Sequence, residues 1–83
     1  MSQVVDQIRQ FMEKSFRTKA SLIRQMTEED NINEKGILDS FEMIKLVAYL
    51  EKTFGLEISV EDFAAHRMDS LKSMEDYIGS RNK

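Results

Sequence analysis

The sequence predicts an all-α fold: a small bundle of three main helices and one short helix, with a long loop between the first and second. Three observations predict it. Apolar residues recur at helical spacing in separate stretches of the chain, each stretch starts at a polar cap or stops at a glycine, and proline is absent. Eighty-three residues are enough for one modest core. The chain therefore reads as one domain over residues 1–83, with the last few residues expected to be disordered.

The first helix is expected to start at a Ser2 cap and run to about Phe16, with Val4, Ile8, Phe11 and Met12 on one face and Val5 and Phe16 beside them. Residues 17–39 then form a connection long enough to let two consecutive helices run roughly parallel. Within it, Ser21–Met26 suits a short helical turn in which Leu22, Ile23 and Met26 share a face. The second helix is the clearest. Asp39 followed by Glu42 makes a capping box, and Phe54-Gly55 supplies the stop. Ser59 opens a short helix to about Ala65. Asp69 or Ser70 caps the last helix, whose face is Leu71, Met74, Tyr77 and Ile78 before Gly79. Met12, Met26, Met43 and Met74 fall at core positions, where methionine fills irregular space.

At about 100° per residue, the second helix has two apolar faces. Met43, Leu46, Val47, Leu50 and Phe54 form the core arc, while Phe41, Ile44 and Ala48 fall opposite, among Lys45, Glu51 and Lys52. So small a domain cannot easily bury both sides of one helix, and apolar residues ringed by charge suit a docking surface. The plainer alternative tucks Ile44 or Phe41 under the long loop.

Composition narrows the function. There is no cysteine, which removes disulfides, thiolate metal sites and a cysteine nucleophile. His66 is the single histidine, expected at the surface, and the chain has little room to enclose a substrate pocket, so an enzyme is not expected. Twelve basic and fifteen acidic residues give a net charge of −3 with no basic block, which argues against nucleic acid. No apolar run approaches the roughly 20 residues of a membrane span, and the start lacks a signal-peptide pattern. No membrane insertion and a cytoplasmic location are expected.

At Gly36-Ile37-Leu38-Asp39-Ser40-Phe41 the sequence resembles the acyl and peptidyl (aminoacyl) carrier proteins, whose signature is Asp-Ser and a large apolar residue at the start of an amphipathic helix. Leu46-Val47, then Leu50-Glu51-Lys52-Thr53-Phe54-Gly55 and Glu57-Ile58 keep the family's register, and Asp76-Tyr77-Ile78 is a typical ending. The resemblance is strongest over residues 36–58, extends to Ile78, and is architectural over residues 1–35. It implies an acyl-carrier-like four-helix bundle, free-standing and monomeric. It further implies a non-catalytic carrier that holds thioester-linked intermediates on 4′-phosphopantetheine. This group is moved from coenzyme A onto Ser40 by a phosphopantetheinyl transferase, with Asp39 as the adjacent motif residue.

The partners implied are that transferase, an acyl- or aminoacyl-adenylating ligase or acyltransferase, and downstream acyl-using enzymes. They are expected to meet Phe41, Glu42, Ile44, Lys45, Ala48, Glu51 and Lys52. Carriers of fatty-acid synthesis often have acidic residues where this helix has Lys45 and Lys52. The motif looks closer to carriers of polyketide, nonribosomal peptide or D-alanine transfer pathways, so a specialised pathway is expected.

Two other readings use the same residues. Starting at Asn31, the spacing of Asn33, Gly36, Leu38 and Glu42 mimics a calcium loop, but Asn31 stands in place of Asp, and Lys35 occupies a coordinating position. An unmodified helical protein-interaction adaptor would use the Phe41, Ile44 and Ala48 stripe alone.

Overall fold

Val5, Ile8 and Met12 lie on one stripe of the first helix, α1 (Gln3–Ser15), and that stripe is buried. Phe16 ends the helix inside the core, its N–H donating to the Met12 carbonyl at 2.8 Å. These features come from a computed structural model, which describes residues 3–65 and 68–81. The Ser2 cap, the His66 surface position and the terminal residues 82–83 lie outside the described residues.

The long connection is folded rather than slack. A 3₁₀ turn (Arg17–Lys19) leads into α2 (Ala20–Gln25), which packs against α1. Arg9 of α1 donates from Nη1 to the carbonyls of Ile23 and Met26 at 2.6 and 2.8 Å, closing the carbonyl end of α2, where helices lack internal donors. Ile23 and Met26 are buried as expected. Leu22 is not: it is 51% exposed, because in so short a helix only the side facing α1 is covered. Beyond α2, the Thr27 N–H donates to the Asp30 carboxylate and holds it below the usual carboxylate range. Two backbone hydrogen bonds, Ile32 N–H to the Asp69 carbonyl and Lys72 N–H to the Glu28 carbonyl, tie this segment to the start of the last helix.

The helix α3 (Ser40–Phe54) buries Met43, Leu46 and Leu50, with Val47 and Phe54 packed at the edge of the core. Gly55 takes a left-handed conformation (φ 66°, ψ 40°), and its N–H donates to the Glu51 carbonyl, which also accepts from Leu56 at 3.0 Å. Tyr49 on the flank of α3 stacks on Phe11 of α1, with ring centroids 3.9 Å apart.

Next comes α4 (Val60–Ala65), opened by Ser59, whose hydroxyl accepts the Asp62 N–H at 3.0 Å. Ser70, not Asp69, caps α5 (Leu71–Arg81), exchanging hydrogen bonds with Ser73 in a reciprocal cap. Asp69 instead accepts from the Asn31 side chain. Leu71, Met74, Tyr77 and Ile78 are buried. The helix does not stop at Gly79 but continues to Arg81, where the guanidinium reaches Asp62 at 2.9 Å and extends the last turn. Met12, Met26, Met43, Met68 and Met74 are all buried in the one core.

Candidate functional site

The chain reaches the start of α3 through a turn built for that purpose. The Asn31 side chain accepts the Glu34 N–H, and Gly36 adopts φ 63°, a left-handed conformation in which a side chain would be strained. Ile37 and Leu38 then enter the core side by side, which fixes the next two residues at the surface. Asp39 is extended and caps α3: Asp39 Oδ1 accepts the Glu42 N–H at 2.8 Å, and Glu42 Oε1 accepts the Asp39 N–H at 2.9 Å. Lys19 also pairs with Glu42, pinning the 3₁₀ turn to the root of the helix.

Ser40 is the first residue inside that box. It is exposed, and among the described residues its hydroxyl makes no hydrogen bond, because the capping role it might have filled belongs to Asp39. Its oxygen is thus free for covalent modification. It also stands at the end of a 15-residue helix, where free backbone N–H groups and the positive end of the dipole favour an attached phosphate.

A groove of about 470 Å³ starts at Ser40 and runs along α3 past Met43, Ile44 and Val47, to a far wall of Ile58 and Phe63. Its lining is mainly apolar. Glu51 shapes that wall: one carboxylate oxygen accepts the Ile58 N–H at 2.8 Å and fixes the segment between α3 and α4.

On the outer side of α3, Phe41 is 79% and Ile44 65% exposed, and Ala48 is exposed beside them. The alternative in which Ile44 or Phe41 tucks under the long loop is therefore wrong: Ile37 and Leu38 already fill that space in the core. Lys45 and Lys52 are exposed and form no ion pair among the described residues. Glu42 and Glu51, placed with them by sequence, are half-buried and engaged within the molecule. The groove wall of Ile58 and Phe63, and the Lys19 pair, were not anticipated. Ile58 was visible as part of a motif, but a motif carries no direction in space.

The calcium-loop spacing has a structural origin. Asn31 and Gly36 build the turn, Lys35 pairs with Asp30 at 3.3 Å, and Glu42 is occupied by the capping box. No group of side chains suited to a metal ion occurs among the described residues.

Comparison with known families gives a match to the phosphopantetheine attachment site model over residues 6–78. The chain belongs to the phosphopantetheine-binding carrier proteins. The carrier is similar to the acyl carrier protein of Buchnera aphidicola subsp. Schizaphis graminum (strain Sg), 30% identical over an alignment of 77 residues that covers 87% of this chain and 95% of that protein. No solved structure matches it. Its cofactor is covalently attached 4′-phosphopantetheine, and the free hydroxyl at a helix start beside an apolar groove suits that group. No helix among the described residues is long and apolar enough to cross a membrane.

Proposed function

We propose that Ser40 carries the phosphopantetheine arm and that the carrier holds acyl or aminoacyl groups on it as thioesters, presenting them to partner enzymes without itself catalysing a reaction. The observation that carries this reading is the position of Ser40: exposed, with its hydroxyl unbonded, inside a closed Asp39–Glu42 capping box. When bound, the arm supplies a terminal thiol, which this cysteine-free chain lacks.

The chain's own residues hold the root and leave the cargo free to move. Asp39 and Glu42 fix the helix start, so the Ser40 oxygen is presented in one orientation to a phosphopantetheinyl transferase. The α3 N-terminus favours the phosphodiester charge. The groove walled by Met43, Val47, Ile58 and Phe63 offers an apolar cargo shelter from water. A tethered thioester reaches a docked enzyme at high effective concentration.

Docking is assigned to the outward side of α3. Phe41, Ile44 and Ala48 supply its apolar centre, Lys45 and Lys52 its charge, and Glu42 and Glu51 its edges. The loading partner is a ligase or acyltransferase, and acyl-using enzymes follow. Likeness to an acyl carrier protein favours acyl cargo, while the exposed lysines favour a specialised pathway over fatty-acid synthesis. The carrier works as a monomer in the cytoplasm.

The test is incubation with coenzyme A and a broad-specificity phosphopantetheinyl transferase, followed by mass spectrometry. Wild type gains one phosphopantetheine and Ser40→Ala gains none. Modification of Ser40→Ala would move the attachment point; no gain by wild type would leave the adaptor reading in its place.

A further inference from the structure

The docking helix carries two acids and two bases, yet they do not face outward equally. Glu42 is neutralised by Lys19 and spent on the capping box. Glu51 turns to the groove side, where it holds the Ile58 N–H. Lys45 and Lys52 have no such partners among the described residues, and both are exposed. At about 100° per residue, they share one edge of the outward face, with Phe41 and Ala48 between them and Ile44.

The segment before the long connection is anchored to α3 at two points. Phe11 stacks on Tyr49, and Lys19 pairs with Glu42, so the segment between them is held along the same flank of α3. That segment contributes exposed Lys14 and Arg17, neither paired among the described residues, whereas Glu13 is bound to Arg24 at 2.9 Å. A protein of net charge −3 thus leaves both lysines of its docking helix uncompensated on one edge. Most of its other acids lie elsewhere, in residues 28–34, 57–62 and 69–76, with Asp39 at the root of the arm.

We propose that the enzyme that loads this carrier meets α3 with an acidic face: carboxylates set against Lys45 and Lys52, about two helical turns or 10 Å apart, beside an apolar patch that receives Phe41 and Ile44. This rests on the carrier reading and adds the sign of the partner. Opposed charges of this kind act mainly on the rate of encounter, over a range of about 8 Å at physiological salt. A partner with a basic face is repelled by the same lysines, so the edge also selects.

The test uses the holo carrier and the enzyme of its own organism that acylates it, isolated by following thioester formation on the arm. Loading kcat/KM is measured across ionic strength for wild type, K45Q/K52Q and K45E/K52E, with circular dichroism and thermal melts confirming that each variant is folded. For wild type, loading slows as salt rises. K45Q/K52Q is slower at low salt, and K45E/K52E is slower still, by about tenfold or more, with its salt dependence flattened or reversed. Wild-type loading that is level or rises with salt, or K45E/K52E loading as fast as wild type, overturns the acidic face while leaving the carrier intact. Failure to form a holo protein at all overturns the carrier reading itself.

Discussion

Asp39 and Glu42 each hold the other's backbone N–H, at 2.8 and 2.9 Å, and Ser40 sits between them with its hydroxyl unclaimed. The stability of the helix start therefore rests on Asp39 and Glu42 and leaves the Ser40 hydroxyl out of it. Asp39→Ala is expected to cost about 0.5–2 kcal/mol, and Asp39→Asn, which can still cap, much less. Ser40→Ala should stay within about 0.5 kcal/mol of wild type, as a surface change that breaks no hydrogen bond. Urea denaturation of the three variants checks the order; a large loss in Ser40→Ala would assign the cap wrongly.

The two faces of α3 should respond in opposite ways. Leu50 is fully buried, and Leu50→Ala is expected to cost roughly 2–5 kcal/mol, a severe loss for a small domain. Phe54 lies at the edge of the core, so Phe54→Ala should cost less than Leu50→Ala. Ile44→Asp, on the exposed face, should fold normally while slowing loading of the holo form. Thermal melts read the first two, and melts together with loading kinetics read the third. An unfolded Ile44→Asp would place Ile44 in the core.

Glu51 holds the groove wall through the Ile58 N–H. Glu51→Ala should lose about 1.5–3 kcal/mol, the value of a hydrogen bond to a charged group, while Glu51→Gln keeps an acceptor and loses less. Amide hydrogen exchange at Ile58 should accelerate in Glu51→Ala. Unchanged protection there would mean that the wall stands without Glu51.

Tyr77 gives the fold an alkaline limit. Burial pushes its hydroxyl above the ordinary tyrosine value, and its hydrogen bond to Asp62 pushes it further, against a smaller opposing pull from Arg81. An unfolded tyrosine ionises near about pH 10, so this contribution is complete below that pH and is lost as pH rises through the higher folded value. Lys72, raised by its hydrogen bond to Glu75, shifts stability in the same direction. Tyr77→Phe should therefore flatten the alkaline loss of stability without abolishing it. Chemical denaturation between about pH 8 and 11 measures the slope; an equal slope in both proteins would show that Tyr77 does not set it.

The helices and the capping box at the start of α3 were legible because their signals are local. A capping box, a glycine stop and residues at a 3.6-residue period speak for themselves, and Asp39, Glu42, Gly55 and Leu50 all stand where the pattern put them. Long-range partners were not legible. Nothing adjacent in sequence says that Glu51 will hold Ile58, that Lys19 will reach Glu42, or that Arg9 will close the end of α2. Leu22 and Gly79 failed for a related reason: periodicity gives the face of a helix but not how far the neighbouring helix covers it, or whether Arg81 will find Asp62 beyond a glycine.

The methionine-rich core has a consequence for redox chemistry. Met12, Met26, Met43, Met68 and Met74 are each 6% exposed or less, and the chain has no cysteine. In the holo protein, the arm's thiol is then the one sulfur among the described residues and their cofactor that an oxidant in solution can readily reach. Peroxide should oxidise or cross-link arms long before it converts a thioether to a sulfoxide, and the first damage would be reversible by a reductant. Loss of the native fold would narrow that gap, since five polarisable thioethers would enter solvent together and their sulfoxides could no longer pack.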